Sequence, residues 1–343
     1  MPDHFVSVII LNFNGMEFLE ACIRSVLAQA YAPFEVLVVD NNSSDGSRAF
    51  ITTTFPEVRL IVSDVNLGFA GGNNLGVAHA KGDLIVLLNN DTTVGKGWLE
   101  ELVNAVSPAD VAIASSFVRT EGIPERYYER NGSINLLGHN IMRVFEDPRD
   151  IFYAGGTSMI FRRSLMGLPF DDIYFAYSED VYCSLRARFM GYRVVYAPKS
   201  VVQHAGGGTS KKAPSSRMTM LQERNRLLNM ALFFSIRTLI AAAPFFAANK
   251  IAKFIHAFLF PRYSLKGLFE AYSWFLFNVR WIRMKRMTLR NDFRRDEREV
   301  LSCMTAWLTN GESIAGRLIN RTAVFYCRLV GLRTIEIARK QKR

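Results

Sequence analysis

The chain has 343 residues, 49% of them hydrophobic, which is enough for a substantial core and excludes general disorder. Its formal net charge of +11 is unevenly spread, with 16 Lys/Arg against 23 Asp/Glu in residues 1–210 and 26 against 8 in residues 211–343. The basic surplus sits among Phe, Trp and Leu rather than in a polar stripe, which argues against nucleic acid as the partner and for a second half that faces an anionic surface.

In chain order, Val6–Asn12 is β-branched and uncharged and predicts a buried strand. It is too short for a signal-peptide core, and no basic residue precedes it. Glu17–Ala30 predicts a helix with Leu19, Ile23, Val26 and Leu27 on one face. Glu35–Asp40 reads as a second strand that ends on an acid, Asn41–Ser47 as a turn, and Val58–Val62 as a third strand. Asn66–Gly76 reads as a Gly/Asn loop entering a short helix to about Ala80, and Asp83–Leu88 as a fourth strand running into Asn89-Asn90-Asp91. This alternation predicts a mainly parallel sheet flanked by helices, with ligands at the carboxyl ends of the strands. Further on, Ala112–Val118, Ser158–Phe161 and Arg193–Tyr196 predict strands, and Glu179–Met190 predicts a helix. Gly132–Arg149 reads as a loop or hairpin over a site, and His204–Ser210 as a loop.

From about Met218 the chain reads as helical, aromatic and basic. Leu227–Ala248 is apolar for 22 residues, nominally enough to span a bilayer, but Asn229, Arg237 and Pro244 interrupt it. Leu265–Arg286 combines aromatic and basic residues and suits the headgroup boundary of an anionic membrane. The competing use of the same helices is packing or a homo-oligomer interface. Cys22, Cys183, Cys303 and Cys327 are scattered without CxxC spacing, so a reducing compartment is expected, with neither disulfide framework nor structural zinc.

Four constellations could carry chemistry. Asp40, at a strand end, can hold a ribose hydroxyl or nucleobase N–H, or it can cap the following turn; position alone leaves both open. Asn89-Asn90-Asp91 can place a carboxylate on a divalent cation bridging phosphates, or it can be an ordinary strand-ending turn. Glu179 and Asp180 open a helix, where acids are favoured by the dipole, and either could serve as a general base. His204 precedes Gly206-Gly207-Gly208 and is either structural or a metal ligand on a flexible loop. Gly68, Gly71, Gly72 and Gly76 do not fit GxGxxG, and no GK[ST] occurs, which disfavours a Rossmann oxidoreductase or a P-loop protein.

Taken together, VSVIILNFN (6–14), VVDNNSSDGS (38–47), NLGFAGGNNLGVAHAKGD (66–83), LLNNDT (87–92), GGTSMIFRRS (155–164), YFAYSEDVYCSLRARFMGYR (174–193) and VVQHAGGGTS (201–210) resemble family-two glycosyltransferases of the GT-A fold. The likeness is to the bacterial branch that includes rhamnosyltransferases of cell-surface polysaccharides, and it covers roughly the first 210 residues. It implies a GT-A catalytic domain at 1–215, followed by a helical region at 216–343 for membrane association or oligomerisation. It further implies Asp180 as catalytic base with Glu179 orienting it or the acceptor, and Asp91 and His204 as ligands of Mg²⁺ or Mn²⁺. Asn89 stands where relatives have the first acid of their metal motif. The nucleotide-sugar set implied is Asn12, Asn14, Asp40, Asn42, Asn66, Gly68, Asn73, Asn89, Asn90, Gly155 and Gly156. The activity implied is inverting transfer of a sugar from a nucleotide-diphosphate donor, with dTDP-rhamnose the best guess, to a growing glycan on a polyprenyl-diphosphate lipid. The place implied is the cytoplasmic side of the inner membrane, peripheral or monotopic. A non-catalytic nucleotide-sugar-binding or scaffold protein of a glycan assembly complex is the alternative, separable by a turnover assay.

Overall fold

The computed structural model describes residues 4–122, 131–143, 151–206, 215–260 and 263–338. By contact, the chain divides into two compact units: Met1–Glu129, Glu146–Ala187 and Tyr192–Lys211 form one, and Arg130–Phe145, Arg188–Gly191 and Lys212–Arg343 the other. The second unit thus takes in two pieces, 130–145 and 188–191, that lie on the first side of a boundary at 215. Gly207 and Gly208, and the 144–149 end of the expected loop or hairpin, lie outside the described residues.

The first unit is built on an eight-stranded sheet in the order β3-β2-β1-β4-β9-β6-β10-β5. Its strands are β1 (Val6–Asn12), β2 (Phe34–Asp40), β3 (Arg59–Val62), β4 (Leu84–Asn89), β5 (Thr92–Val94), β6 (Val111–Thr120), β9 (Ser158–Arg162) and β10 (Arg193–His204). β3, β2, β1 and β4 run parallel, β9 runs antiparallel to β4 and β6, β10 is parallel to β6, and β5 is antiparallel to β10. Both faces of the central strands are covered, so these read as continuous Val/Ile/Leu runs rather than alternating ones. Register sets Asn12 beside Asp40 and Leu11 beside Asn89, so the polar residues that end β1, β2 and β4 share one edge of the sheet. Helix α1 (Met16–Leu27) buries Leu19, Cys22, Ile23 and Val26, a spacing that places them on one stripe. Fully burying each of the larger side chains contributes roughly 1.5–3 kcal/mol.

Two segments depart from the sequence expectation. The Gly/Asn run is not a loop: α2 (Ser47–Thr54) is followed after β3 by α3 (Gly68–His79), which already begins at Gly68. A Cβ on Gly72 would come 2.5 Å from Leu11 Cδ1, and one on Gly76 would come 2.5 Å from Ile9 Cγ2. The glycines therefore let α3 lie flat on β1, and this packing overrides their poor helix propensity. The strand expected at Arg193–Tyr196 also continues to His204, through an irregularity between Ala197 and Val201 that absorbs Pro198. Buried Ser200 donates there to the Trp98 carbonyl at 3.0 Å, beside Trp98 in α4 (Trp98–Val106).

In the second unit, β7 (Asn131–Ile134) and β8 (Asn140–Arg143) form an antiparallel hairpin. After α5 (Arg163–Met166) and α6 (Glu179–Phe189), which begin in the first unit, come α7 (Ser216–Phe233), α8 (Ile236–Leu259), α9 (Leu265–Phe277), α10 (Val279–Arg290), α11 (Glu297–Leu301), α12 (Ile314–Leu329) and α13 (Ile335–Ala338). The apolar run Leu227–Ala248 is not one helix. It breaks after α7, and Ser235 caps α8 by accepting from Thr238 N at 3.2 Å. Among the described helices, α8 alone is long and apolar enough to cross a membrane, at mean hydropathy 1.3, with 17% of that stretch buried. Lys253 in α8 is nevertheless buried and pairs at 2.5 Å with Glu223 of α7, which also accepts from Arg226 at 2.6 Å and Tyr272 at 2.7 Å. Glu223 is held well below the usual carboxylate range: burial opposes its charge, but the flanking cations outweigh that cost.

Candidate active site

The carboxyl edge of β1 and β2 carries the first cluster. Asp40 has no exposed side-chain surface. Its Oδ2 accepts from Ser43 N at 3.1 Å and from Arg48 Nε at 2.6 Å, and its Oδ1 accepts from Asn12 Nδ2 at 3.3 Å. Burial alone would raise the Asp40 pKa, and the bonds from Ser43, Arg48 and Asn12 more than offset it, so the group is held below the ordinary carboxylate value. This geometry is that of a turn cap that also carries an ion pair. Asn12 Oδ1 in turn accepts from Asn90 Nδ2 at 2.7 Å, which links the β1 edge to the turn after β4. Asn14 (φ 50°) accepts from Ser44 N at 2.8 Å, and Asp45 accepts from Met16 N, at the start of α1, at 2.9 Å. Loops 13–16 and 41–47 are thereby fastened together, leaving Phe13, Asn14 and Asn42 exposed on their rim.

The second cluster lies in the turn between β4 and β5. Antiparallel pairing sets His204 opposite Thr92, and His204 Nε2 comes 3.2 Å from Asp91 Oδ2. The two side chains are 19% and 15% exposed and line a cavity of about 580 Å³ with Glu17, Arg119 and Glu121. Thr120 Oγ1 lies 3.4 Å from the other ring nitrogen and fixes the imidazole plane. One carboxylate oxygen and one imidazole nitrogen at this spacing fit adjacent corners of an octahedral ion with bonds near ~2.1 Å, which lie ~3 Å apart. Among the described residues, no group of three His, Cys, Asp or Glu is placed to share a metal. A cation held here would therefore keep open positions for phosphate oxygens and water.

The third cluster precedes and opens α6. Asp180 Oδ1 accepts from Val181 N at 2.7 Å and Oδ2 from Gly156 N at 3.3 Å. Glu179 is only 6% exposed, and its Oε2 has no hydrogen-bond partner. Burial, followed by the adjacent Asp180 charge, pushes the Glu179 pKa up to about 8. Asp180 is also raised by burial, against the opposing backbone N–H bonds. Of the two acids, Asp180, with its two N–H donors, is the better placed to hold a negative charge, and Glu179, with an unpartnered oxygen, is the better placed to hold a proton. Phe175, Tyr177 and Ser178, just before this pair, have φ of 58°, 73° and 63°. Such backbone costs on the order of 1–2 kcal/mol per residue and is held by its surroundings, with Phe175 O accepting from Ala70 N at 3.0 Å.

The structure brings Asp91 together with His204, and Asn12 together with Asp40 and Asn90. Asn66 accepts from Gly68 N at 2.8 Å and serves the start of α3. Asn73 is buried and donates to Phe69 O at 2.9 Å, so its amide is spent within α3. Asn89 contributes its backbone, accepting from Thr92 Oγ1 at 2.6 Å. Gly155 has open space where a Cβ would stand, whereas Gly156 packs against the Phe69 ring. Sequence reasoning missed Arg48, Ser43, Asp45 and Phe13. The signal for the first two was present: a Ser three residues after a strand-ending Asp is an Asx-turn pattern, and an Arg eight on lies in the first turn of the next helix.

The Glycosyl transferase family 2 profile matches residues 7–167. Over 193 residues the chain is 37% identical to the UDP-Glc:alpha-D-GlcNAc-diphosphoundecaprenol beta-1,3-glucosyltransferase WfgD of Escherichia coli, covering 53% of this chain and 69% of that one. Over 245 residues it is 25% identical to an N-acetylglucosaminyl-diphospho-decaprenol L-rhamnosyltransferase of Mycobacterium tuberculosis, covering 62% and 79%. Among solved structures, GalNAc-T7 with UDP, GalNAc and Mn²⁺ superposes with TM-score 0.59 at 16% identity, over 71% of this chain and about half (51%) of that one. A mixed α/β sheet with flanking helices and this likeness defines a fold of the GT-A type. The chain belongs to glycosyltransferase family 2.

Proposed function

We propose that the protein transfers a sugar, with inversion, from a nucleotide-diphosphate donor to a hydroxyl of a lipid-linked glycan of the cell surface, at the cytoplasmic side of the inner membrane. The observation that carries this reading is the Asp91–His204 pair, 3.2 Å apart at the sheet edge where a diphosphate would lie. Mg²⁺ or Mn²⁺, when bound by these two residues, would neutralise charge on the leaving diphosphate. Phe13 and the rim of loops 13–16 and 41–47 receive the nucleoside, with Asp40 holding that rim in shape. Asp180 takes the proton of the acceptor hydroxyl as its oxygen bonds the anomeric carbon and the bond to the diphosphate breaks, the electron pair leaving on the diphosphate. Glu179, neutral and buried, lets the charge stay on Asp180. The basic, aromatic helices of 216–343 rest on the anionic membrane surface where a polyprenyl-linked acceptor resides.

The donor is dTDP-rhamnose in the first reading. The WfgD relative, named for UDP-Glc, makes UDP-glucose the second. The test is a donor panel: purified protein, divalent cation, several nucleotide sugars and a short polyprenyl-diphosphate-linked acceptor, with product and released nucleotide diphosphate read by mass spectrometry. Turnover of a single donor in the presence of acceptor supports the reading. Tight donor binding with no turnover of any donor would leave the scaffold alternative.

A further inference from the structure

We infer that α12 carries a groove for the phosphate head of a membrane lipid. It deepens the membrane reading above and rests on it, and it is independent of the donor site. A cavity of about 480 Å³ lies between α12 and the segment that precedes it, lined by Trp307, Arg317, Arg321, Phe325 and Arg328. Arg317, Arg321, Val324, Phe325 and Arg328 recur at helical spacing, so one face of α12 presents all of them. The opposite wall is fixed: buried Asn320 accepts from Leu308 N at 2.9 Å and Thr309 N at 3.1 Å, and donates to Thr309 O at 2.9 Å. Arg317 is positioned by donating to Glu312 O at 2.9 Å. Among the described residues, no carboxylate pairs with Arg321 or Arg328. The carboxylate lining the cavity, Glu336, has both oxygens occupied, by Thr305 Oγ1 at 2.5 Å and Ala306 N at 3.1 Å. Glu336 keeps its charge but no oxygen is left to bond the guanidiniums, so Arg317, Arg321 and Arg328 outnumber the one lining carboxylate, and guanidinium is the side chain best matched to phosphate oxygens.

What distinguishes this groove from a general anion site is the neighbouring strip of helix. Ile314, Leu318, Phe325 and Leu329 are all exposed and recur along α12 as an apolar stripe beside the arginines. The stripe adjoins α8, where Tyr326 OH donates to Ala241 O at 3.0 Å and its ring meets Phe245 with centroids 5.1 Å apart. α8 in turn exposes Ile236 and Ile240. A soluble anion would satisfy the arginines and leave this apolar surface wet, whereas a phosphate attached to an acyl or isoprenoid chain satisfies both.

The test is co-sedimentation of the full-length protein with neutral phosphatidylcholine vesicles containing either phosphatidic acid or phosphatidylglycerol, matched for surface charge. Wild type should bind the phosphatidic acid vesicles more tightly, because that head exposes a terminal phosphate. The triple variant Arg317→Gln/Arg321→Gln/Arg328→Gln should bind roughly 100-fold more weakly and lose the preference. Lys81→Gln/Lys96→Gln/Lys199→Gln, three exposed lysines of the first unit, makes the same change in net charge and should bind as wild type does. If wild type binds and the arginine variant binds equally well, or if both triples weaken alike, the groove is refuted while the membrane reading stands. If wild type binds no vesicle, both fall. Inorganic phosphate that, without divalent cation, binds the wild type as tightly as the vesicles do and no longer binds the arginine variant would refute the lipid as occupant.

Discussion

Replacing Glu179 by Gln removes a group that folding forces to hold its proton. The side chain is buried with one unpaired oxygen, and its pKa is pushed from 4.5 up to about 8 by burial and then by Asp180. Between these values the folded state binds more protons than the unfolded state, so the slope of unfolding free energy against pH is negative. The stabilising difference is fully present below the unfolded pKa and is lost as pH rises, levelling off above about 8. At 1.36 kcal/mol per pKa unit, one such group costs on the order of 2 kcal/mol between pH 5 and pH 7. Glutamine has no proton to lose and is isosteric with the neutral acid, so Glu179→Gln should flatten this part of the profile. Urea denaturation of both proteins at several pH values from 5 to 8 reads the effect, with the mutant gaining on wild type as pH rises. Titrating groups remote from the pair, Glu223 among them, are common to both proteins and cancel in the difference, which therefore reports the Glu179–Asp180 pair. Because the neutral form is the one wild type carries at pH 7, kcat should stay within about tenfold, a cost under roughly 1.4 kcal/mol. Parallel stability curves for the two proteins would refute the buried, protonated assignment.

Asp180→Asn should lower turnover by at least ~10²-fold with donor affinity near normal, measured by steady-state kinetics beside calorimetry; wild-type turnover would remove it as base. Asp91→Ala should weaken nucleotide-sugar binding chiefly when Mg²⁺ or Mn²⁺ is present, and His204→Ala should do so less severely. Full activity in excess chelator would end the metal role. Asp40→Ala strips the buried partner from Arg48 and Ser43 and should cost about 2 kcal/mol of stability, together with affinity for nucleoside diphosphate, with or without metal. Unchanged affinity in the folded mutant would confine Asp40 to holding its turn. Gly76→Ala drives a methyl to 2.5 Å from Ile9 Cγ2 and should cost roughly 1–3 kcal/mol despite the better helix propensity of alanine, read as a lower Tm.

The strands were legible because their signal is local. Val8–Leu11 and Val36–Val39 are apolar runs, buried on both faces, that end on Asn12 and Asp40, so the run and its terminating Asn or Asp mark the element and the sheet edge together. The Gly/Asn run 66–76 was misread because the cause of its helix is not local. Leu11 and Ile9 of β1 come so close that Gly72 and Gly76 are needed, and no propensity within the segment reports a neighbour from another part of the chain. The break inside Leu227–Ala248 was a local signal outweighed by hydropathy: Ser235 sits where an N-cap belongs, but a run of apolar residues draws the eye past it.

The site divides along the same line. Asp91 and Asp180 were visible by type and position, but what each does depends on partners distant in sequence. His204 reaches Asp91 only because β10 continues past its irregularity and pairs antiparallel with β5. Asp180 is the better seat for the charge of its pair because Val181 and Gly156 each offer it an N–H and nothing offers one to Glu179 Oε2. Two adjacent acids on a helix are both carboxylates in the sequence, and the fold makes them unequal by burying one with an oxygen, Glu179 Oε2, that no donor reaches. The difference between the two acids therefore follows from hydrogen-bond supply rather than from residue type. By the same logic Asp40, whose Oδ2 accepts from both Ser43 and Arg48 and whose Oδ1 accepts from Asn12, is held by its partners as the brace of its loop.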